Sequence, residues 1–60
     1  MEKFIGFNTD DGIVYINIRH IVALGESVEF EGQVWFRMVN GGLIYVTNSI
    51  EEVIDAINGR

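Results

Sequence analysis

The chain has 60 residues, no cysteine and one histidine, which excludes disulfide bonds, thiolate zinc sites and metal sites built from several histidines. Its net charge of −5 comes from nine acidic residues against four scattered basic ones, a balance that disfavours binding to nucleic acid. The hydrophobic fraction is 48%, yet no apolar run approaches the roughly 18 residues of a membrane span.

These properties predict one domain over residues 1–60, near the lower size limit for folding alone. The N-terminal segment does not have the pattern of a secretory signal peptide. The lack of cysteine fits a reducing compartment, so we expect a cytoplasmic protein. Small domains are commonly stabilised by disulfides, metals or oligomerisation, and of these three only oligomerisation is left.

The first half of the chain predicts three strands. Residues 3–7 form a short apolar run, and residues 13–18 are rich in β-branched and aromatic side chains. Asp11-Gly12 between them predicts a hairpin, because glycine tolerates positive φ. Residues 17–20 predict a tight polar connection, and residues 21–26 predict a third strand, either separate or a bent continuation of the second.

A second hairpin follows an acidic segment. Residues 27–32 alternate acidic and apolar side chains and predict a loop or a ragged strand extension. Strands are then predicted over residues 33–40 and 43–47, joined at Asn40-Gly41-Gly42.

The sequence ends in a predicted helix over residues 49–58. Ser49 and Glu52 have the spacing of a capping box, and Gly59 stands where helices often end. Four apolar residues fall at i, i+3, i+4 and i+7 and make one stripe: Ile50, Val53, Ile54 and Ile57. The predicted fold class is therefore α+β, a small antiparallel sheet or partly closed barrel of four to five strands followed by one C-terminal helix.

Both faces of the predicted sheet are apolar. Side chains alternate between the two faces of a strand, so Val34, Phe36 and Met38 point to one face. The residues that point to the other face are Gln33, Trp35, Arg37 and Val39. A helix of this length, about 13 Å, can cover only one face. The other face would be covered by closure into a barrel or by a second copy. We expect a homo-oligomer, because large exposed apolar patches are rare on soluble monomers.

The same alternation gives the candidate interface, which consists of Trp35, Arg37, Val39 and Tyr45. Tryptophan, tyrosine and arginine are enriched among the residues that dominate binding energy at interfaces. The alternative is that the two aromatic side chains belong to an ordinary core and that the arginine lies at its edge. The pattern does not distinguish self-association from a foreign partner.

A second candidate site consists of Arg19, His20 and Arg37, which could hold the phosphate or carboxylate of a small ligand. No glycine-rich phosphate loop accompanies these bases.

The acidic segments give no enzymatic motif. Glu26, Glu29 and Glu31 have no histidine, lysine or serine placed to complete a mechanism, so we expect a solvated acidic loop and no enzyme activity. The stretch from Asn8 to Asp11 lacks the alternating ligands of a calcium loop, so turn chemistry explains it better. No cofactor or metal is expected.

Four segments resemble the small flagellar and swarming-motility protein family and similarly patterned short bacterial and phage proteins. They are YIN (Tyr15–Asn17), HIVAL (His20–Leu24), NGGLIYV (Asn40–Val46) and SIEEVIDAI (Ser49–Ile57). The family often carries proline where Ile18 stands here. The resemblance implies a small non-enzymatic regulatory module that acts through contacts.

We therefore expect a regulator or inhibitor that binds another protein as a homo-oligomer, for which a phage-encoded anti-defence factor is one fitting class. The alternatives are a protein that sequesters a small anionic metabolite or nucleotide between subunits, a motility regulator, and an acidic mimic of nucleic acid.

Overall fold

The computed structural model describes residues 3–59, which contain five strands and one α-helix. In chain order the elements are β1 (Phe4–Thr9), β2 (Gly12–Asn17), a 3-10 turn (Ile18–His20), β3 (Ile21–Glu26), β4 (Val34–Met38), β5 (Leu43–Val46) and α1 (Ile50–Ile57). The predicted α+β class is confirmed. The third strand is separate from the second, because Asn17 caps the intervening 3-10 turn by accepting a hydrogen bond from the backbone of Arg19.

The strands form two antiparallel sheets, β1-β2 and β3-β4-β5, and the sheets are not closed into a barrel. They meet at one corner. There the backbone N–H of Thr47 donates to the carbonyl of Asn8 at 2.7 Å, and the N–H of Asn8 donates to Oδ1 of Asn48 at 2.7 Å. The prediction allowed an antiparallel sheet or a partly closed barrel, and the strands form open antiparallel sheets.

The two sheets share one core. The ring of Phe7 on β1 meets that of Phe36 on β4 edge-on, with centroids 5.1 Å apart and planes at 65°. The buried apolar side chains come from both sheets and the helix: Phe7, Ile16, Val34, Phe36, Val46 and Val53. The sequence predicted a single sheet covered by a helix, and the structure differs because there are two sheets. The inner faces of the two sheets pack against each other, and α1 packs on the same core.

The helix begins as the sequence predicts. Ser49 Oγ accepts a hydrogen bond from the N–H of Glu52 at 3.1 Å, and Glu52 Oε1 accepts one from the N–H of Ser49 at 3.0 Å. The predicted apolar stripe is wrong at Ile54, which is 41% exposed, whereas Ala56 packs on the core. The inward arc of this short helix is centred on the fully buried Val53, and Ile54 lies at its margin.

Candidate protein-binding surface

The outer face of the three-stranded sheet carries the predicted interface. Strand pairing aligns its residues in two rows across β3, β4 and β5, and we call this surface the tryptophan face. The rows are Gly25–Trp35–Tyr45 and Ala23–Arg37–Leu43. The opposite face points to the core, as the burial of Val34 and Phe36 shows.

Trp35 lies directly against the backbone of β3. A methyl group added at Gly25 would stand 2.8 Å from Cζ2 of Trp35 and 3.2 Å from its Nε1. Only glycine leaves room for this approach, in which a cross-strand aromatic ring covers a glycine. Trp35 is therefore half-buried within a single chain, and its ring is held in one place on the tryptophan face.

Tyr45, next to Trp35, is held from the other side by the loop between β3 and β4. Its ring meets that of Phe30 edge-on, with centroids 5.3 Å apart and planes at 80°. The loop is fixed by Ser27, whose N–H donates to the carbonyl of Gln33 at 2.9 Å and whose Oγ accepts from the N–H of Phe30 at 2.9 Å. The segment predicted as a loop thus forms a compact lobe beside the tryptophan face.

The lobe and the face border an open groove of about 360 Å³, which we call the tryptophan groove. Glu26 and Glu29 line its loop end, and Trp35 and Tyr45 are among the sheet residues that line it. Arg37 also lines it and donates from Nη1 to the carbonyl of Gly41, in the β4–β5 turn, at 3.3 Å. One end of the groove is therefore acidic and the other is basic.

The predicted interface residues are brought together only in part. Trp35, Arg37 and Tyr45 line the tryptophan groove. Val39 is 60% exposed but follows the end of β4, where its N–H donates to the carbonyl of His20 at 2.8 Å. Val39 thus marks the turn beside the face and does not line the groove.

The predicted anion-binding residues do not converge on this groove. Arg37 lines it, whereas Arg19 and His20 are exposed on the 3-10 turn and do not.

A second exposed apolar surface, which the sequence did not predict as a site, lies on the sheet formed by β1 and β2. Phe4, Ile13 and Tyr15 are 59%, 63% and 69% exposed on the outer side of β1-β2. A methyl group added at Gly6 would stand 3.1 Å from Cε1 of Tyr15 and 3.2 Å from Cγ2 of Ile13, so both side chains lie over the glycine. We call these four residues the tyrosine face. This surface could have been predicted from the sequence, because Ile13 and Tyr15 alternate along β2 with residues that point to the core.

Acidic and basic residues lie at opposite ends of the strands. The starts of β1 and β3 and the β4–β5 turn lie at the same end, as shown by hydrogen bonds from Ile18 N–H to the Lys3 carbonyl at 3.0 Å and from Val39 N–H to the His20 carbonyl at 2.8 Å. This end, which carries Lys3, Arg19 and Arg37, is the basic end. Acidic residues gather at the other end, the acidic end: Asp10, Asp11, Glu26, Glu29, Glu31, Glu51 and Glu52. Bases that are scattered in sequence are thus gathered by the fold.

Within residues 3–59, no group of three or more histidine, aspartate or glutamate side chains is arranged to hold a metal ion. In the same described part of the chain, no helix has the length and apolarity needed to cross a membrane. Comparison with protein-family models, curated proteins and solved structures gave no match.

Proposed function

We propose that this protein is a small non-enzymatic binding module that regulates or inhibits another protein and works as a homo-oligomer. The observation that carries the proposal is the tryptophan face, where Trp35, Arg37 and Tyr45 stand together on an open sheet surface. The helix contributes to the core on the other side of the sheet and does not cover this face, which is therefore available for binding.

The composition and rigidity of the tryptophan face suit binding. Large aromatic side chains that are already ordered lose little conformational entropy when a partner arrives. Trp35 packs against Gly25, and Tyr45 packs against Phe30. Leu43, 45% exposed in the adjoining row, adds apolar area to the same surface.

The tyrosine face suits self-association. Two copies that each carry a net charge of −5 repel one another, so a stable contact should keep their acidic ends apart. Neither β1 nor β2 contains an acidic or basic residue, and Phe4, Ile13 and Tyr15 are all more than half exposed. A second copy that lies on this face in the antiparallel direction would cover apolar surface and keep its Asp10-Asp11 turn away from that of the first copy.

Light scattering at micromolar concentration tests the self-association. We expect a mass of at least two chains for the natural sequence and of one chain for the double variant Ile13→Ser/Tyr15→Ser. Val28→Ser is the matched control, because Val28 is fully exposed in the β3–β4 loop and lies outside the tyrosine face. Val28 is also among the residues that line the tryptophan groove, so this variant reports whether that surface contributes to self-association. A natural chain that stays monomeric would contradict the homo-oligomer, and an unchanged mass in the double variant would contradict the assignment to this face.

A further inference from the structure

The tryptophan groove has the chemistry of a site for an organic cation. The rings of Trp35 and Tyr45 are neighbours across β4 and β5, and both line the groove. A cation held over the face of an aromatic ring is attracted by the ring's negative quadrupole, most strongly for tryptophan. Because Gly25 and Phe30 hold the two rings from either side, this aromatic pair exists before any ligand arrives.

Two glutamate residues line one end of the same groove. Glu26 ends β3 and Glu29 lies in the loop that follows, and both line the loop end. Glu31 belongs to the same loop and lines the neighbouring concavity, together with Glu26 and the acidic residues at the start of α1. The local potential at this end is therefore negative and extends beyond the groove itself.

Arg37 sets the direction in which a ligand would lie. Its guanidinium donates to the carbonyl of Gly41 at 3.3 Å, in the turn that joins β4 and β5. A cationic group would be repelled from this end of the groove and drawn to the end with Glu26 and Glu29.

We infer that the tryptophan groove binds an arginine or lysine side chain on an extended segment of a basic partner protein, with the cation beside Glu26 and Glu29. This inference rests on the proposed function, since it names the partner chemistry of the tryptophan face. The acidic end supplies long-range attraction for such a partner, and the aromatic rings supply the short-range contact.

The sole tryptophan is the reporter for the test, because Trp35 lies in the groove. The full chain is titrated with a short blocked peptide of alternating arginine and glycine, and with matched peptides in which glutamine or glutamate replaces arginine. We expect the emission of Trp35 to change with the arginine peptide and not with the other two. The affinity should fall about three- to tenfold as salt is raised from low to physiological concentration.

Matched variants separate the groove from the overall charge. Glu26→Gln/Glu29→Gln should weaken binding of the arginine peptide about fivefold. Asp11→Asn/Asp55→Asn removes the same charge from exposed positions outside the groove and should change the affinity by less than about twofold. Tyr45→Leu should weaken binding about threefold, and Tyr45→Phe, which keeps the ring, should bind as the natural chain does.

Four results would overturn the inference. An equal response to the glutamine or glutamate peptide would show a peptide groove without a preference for cations, and the proposed function would stand. No response to any peptide would show that the groove does not bind a basic partner. The light-scattering test of self-association would be unaffected by this result. Equal losses in the two charge variants would assign the attraction to the overall field and not to the groove. A shift of Trp35 emission with protein concentration alone would place a second copy in the groove.

Discussion

Gly25→Ala tests the contact that orders the tryptophan face. The glycine is not among the residues with positive φ, so its backbone accepts alanine without strain. The new methyl group would meet Cζ2 of Trp35 at 2.8 Å, and the indole must move. Such overpacking costs about 1–3 kcal/mol, and replacing a strand glycine by alanine returns about 0.5–1 kcal/mol. We expect a net loss of about 1 kcal/mol in the free energy of unfolding.

The assay is urea denaturation followed by circular dichroism, with the emission of the folded state of Gly25→Ala as a second readout. In a Trp35→Leu background the same substitution should stabilise by about 0.5–1 kcal/mol, which gives a coupling energy of about 1.5–2 kcal/mol. Gly6→Ala is the control on the other sheet, where the added methyl group would meet Tyr15 and Ile13, and it should leave the emission of Trp35 unchanged. An equal cost of Gly25→Ala with and without the indole would show that the indole of Trp35 does not lie against Gly25.

Three further predictions concern stability, and each is checked by urea denaturation with circular dichroism. Ser49→Ala should cost about 1 kcal/mol, because the N–H of Glu52 loses its acceptor; no change would mean that the capping box does not stabilise the helix. Phe36→Ala should cost about 3–5 kcal/mol, because this fully buried ring packs on Phe7; a cost below 1 kcal/mol would contradict the shared core. Val28→Ser should change stability by less than about 0.5 kcal/mol, since the side chain is fully exposed, and a larger loss would show that the loop packs differently.

The features that the sequence predicted are local in the chain. The capping box of Ser49 and Glu52 involves residues three apart, and the structure confirms it. The strand over residues 21–26 and the alternation of Phe36 with Trp35 are likewise confirmed, because period-two alternation acts between immediate neighbours. Ile54 was predicted less well, because helical spacing alone does not distinguish a residue at the edge of an apolar stripe from one at its centre.

The features that the sequence did not predict depend on long-range pairing. The position of Trp35 over Gly25 requires the β3–β4 register, which includes an irregularity between Ile21 and Ala23. The way in which the two sheets meet depends on Thr47 reaching Asn8, a contact between distant parts of the chain. The separation of charge depends on the same pairings, since it follows from which strand ends share an end of the molecule.

We expect the tryptophan face to stay open to solvent in the free protein and in an oligomer formed through the tyrosine face. Acrylamide quenching of Trp35 across a range of protein concentrations measures this directly, because the chain has one tryptophan. We predict a quenching constant typical of a half-exposed indole. This constant should not change as protein concentration and the mass of the assembly increase. Quenching that falls as the mass rises would show that copies associate through the tryptophan face, and an indole shielded at the lowest concentration would show that this face is already covered in a single chain.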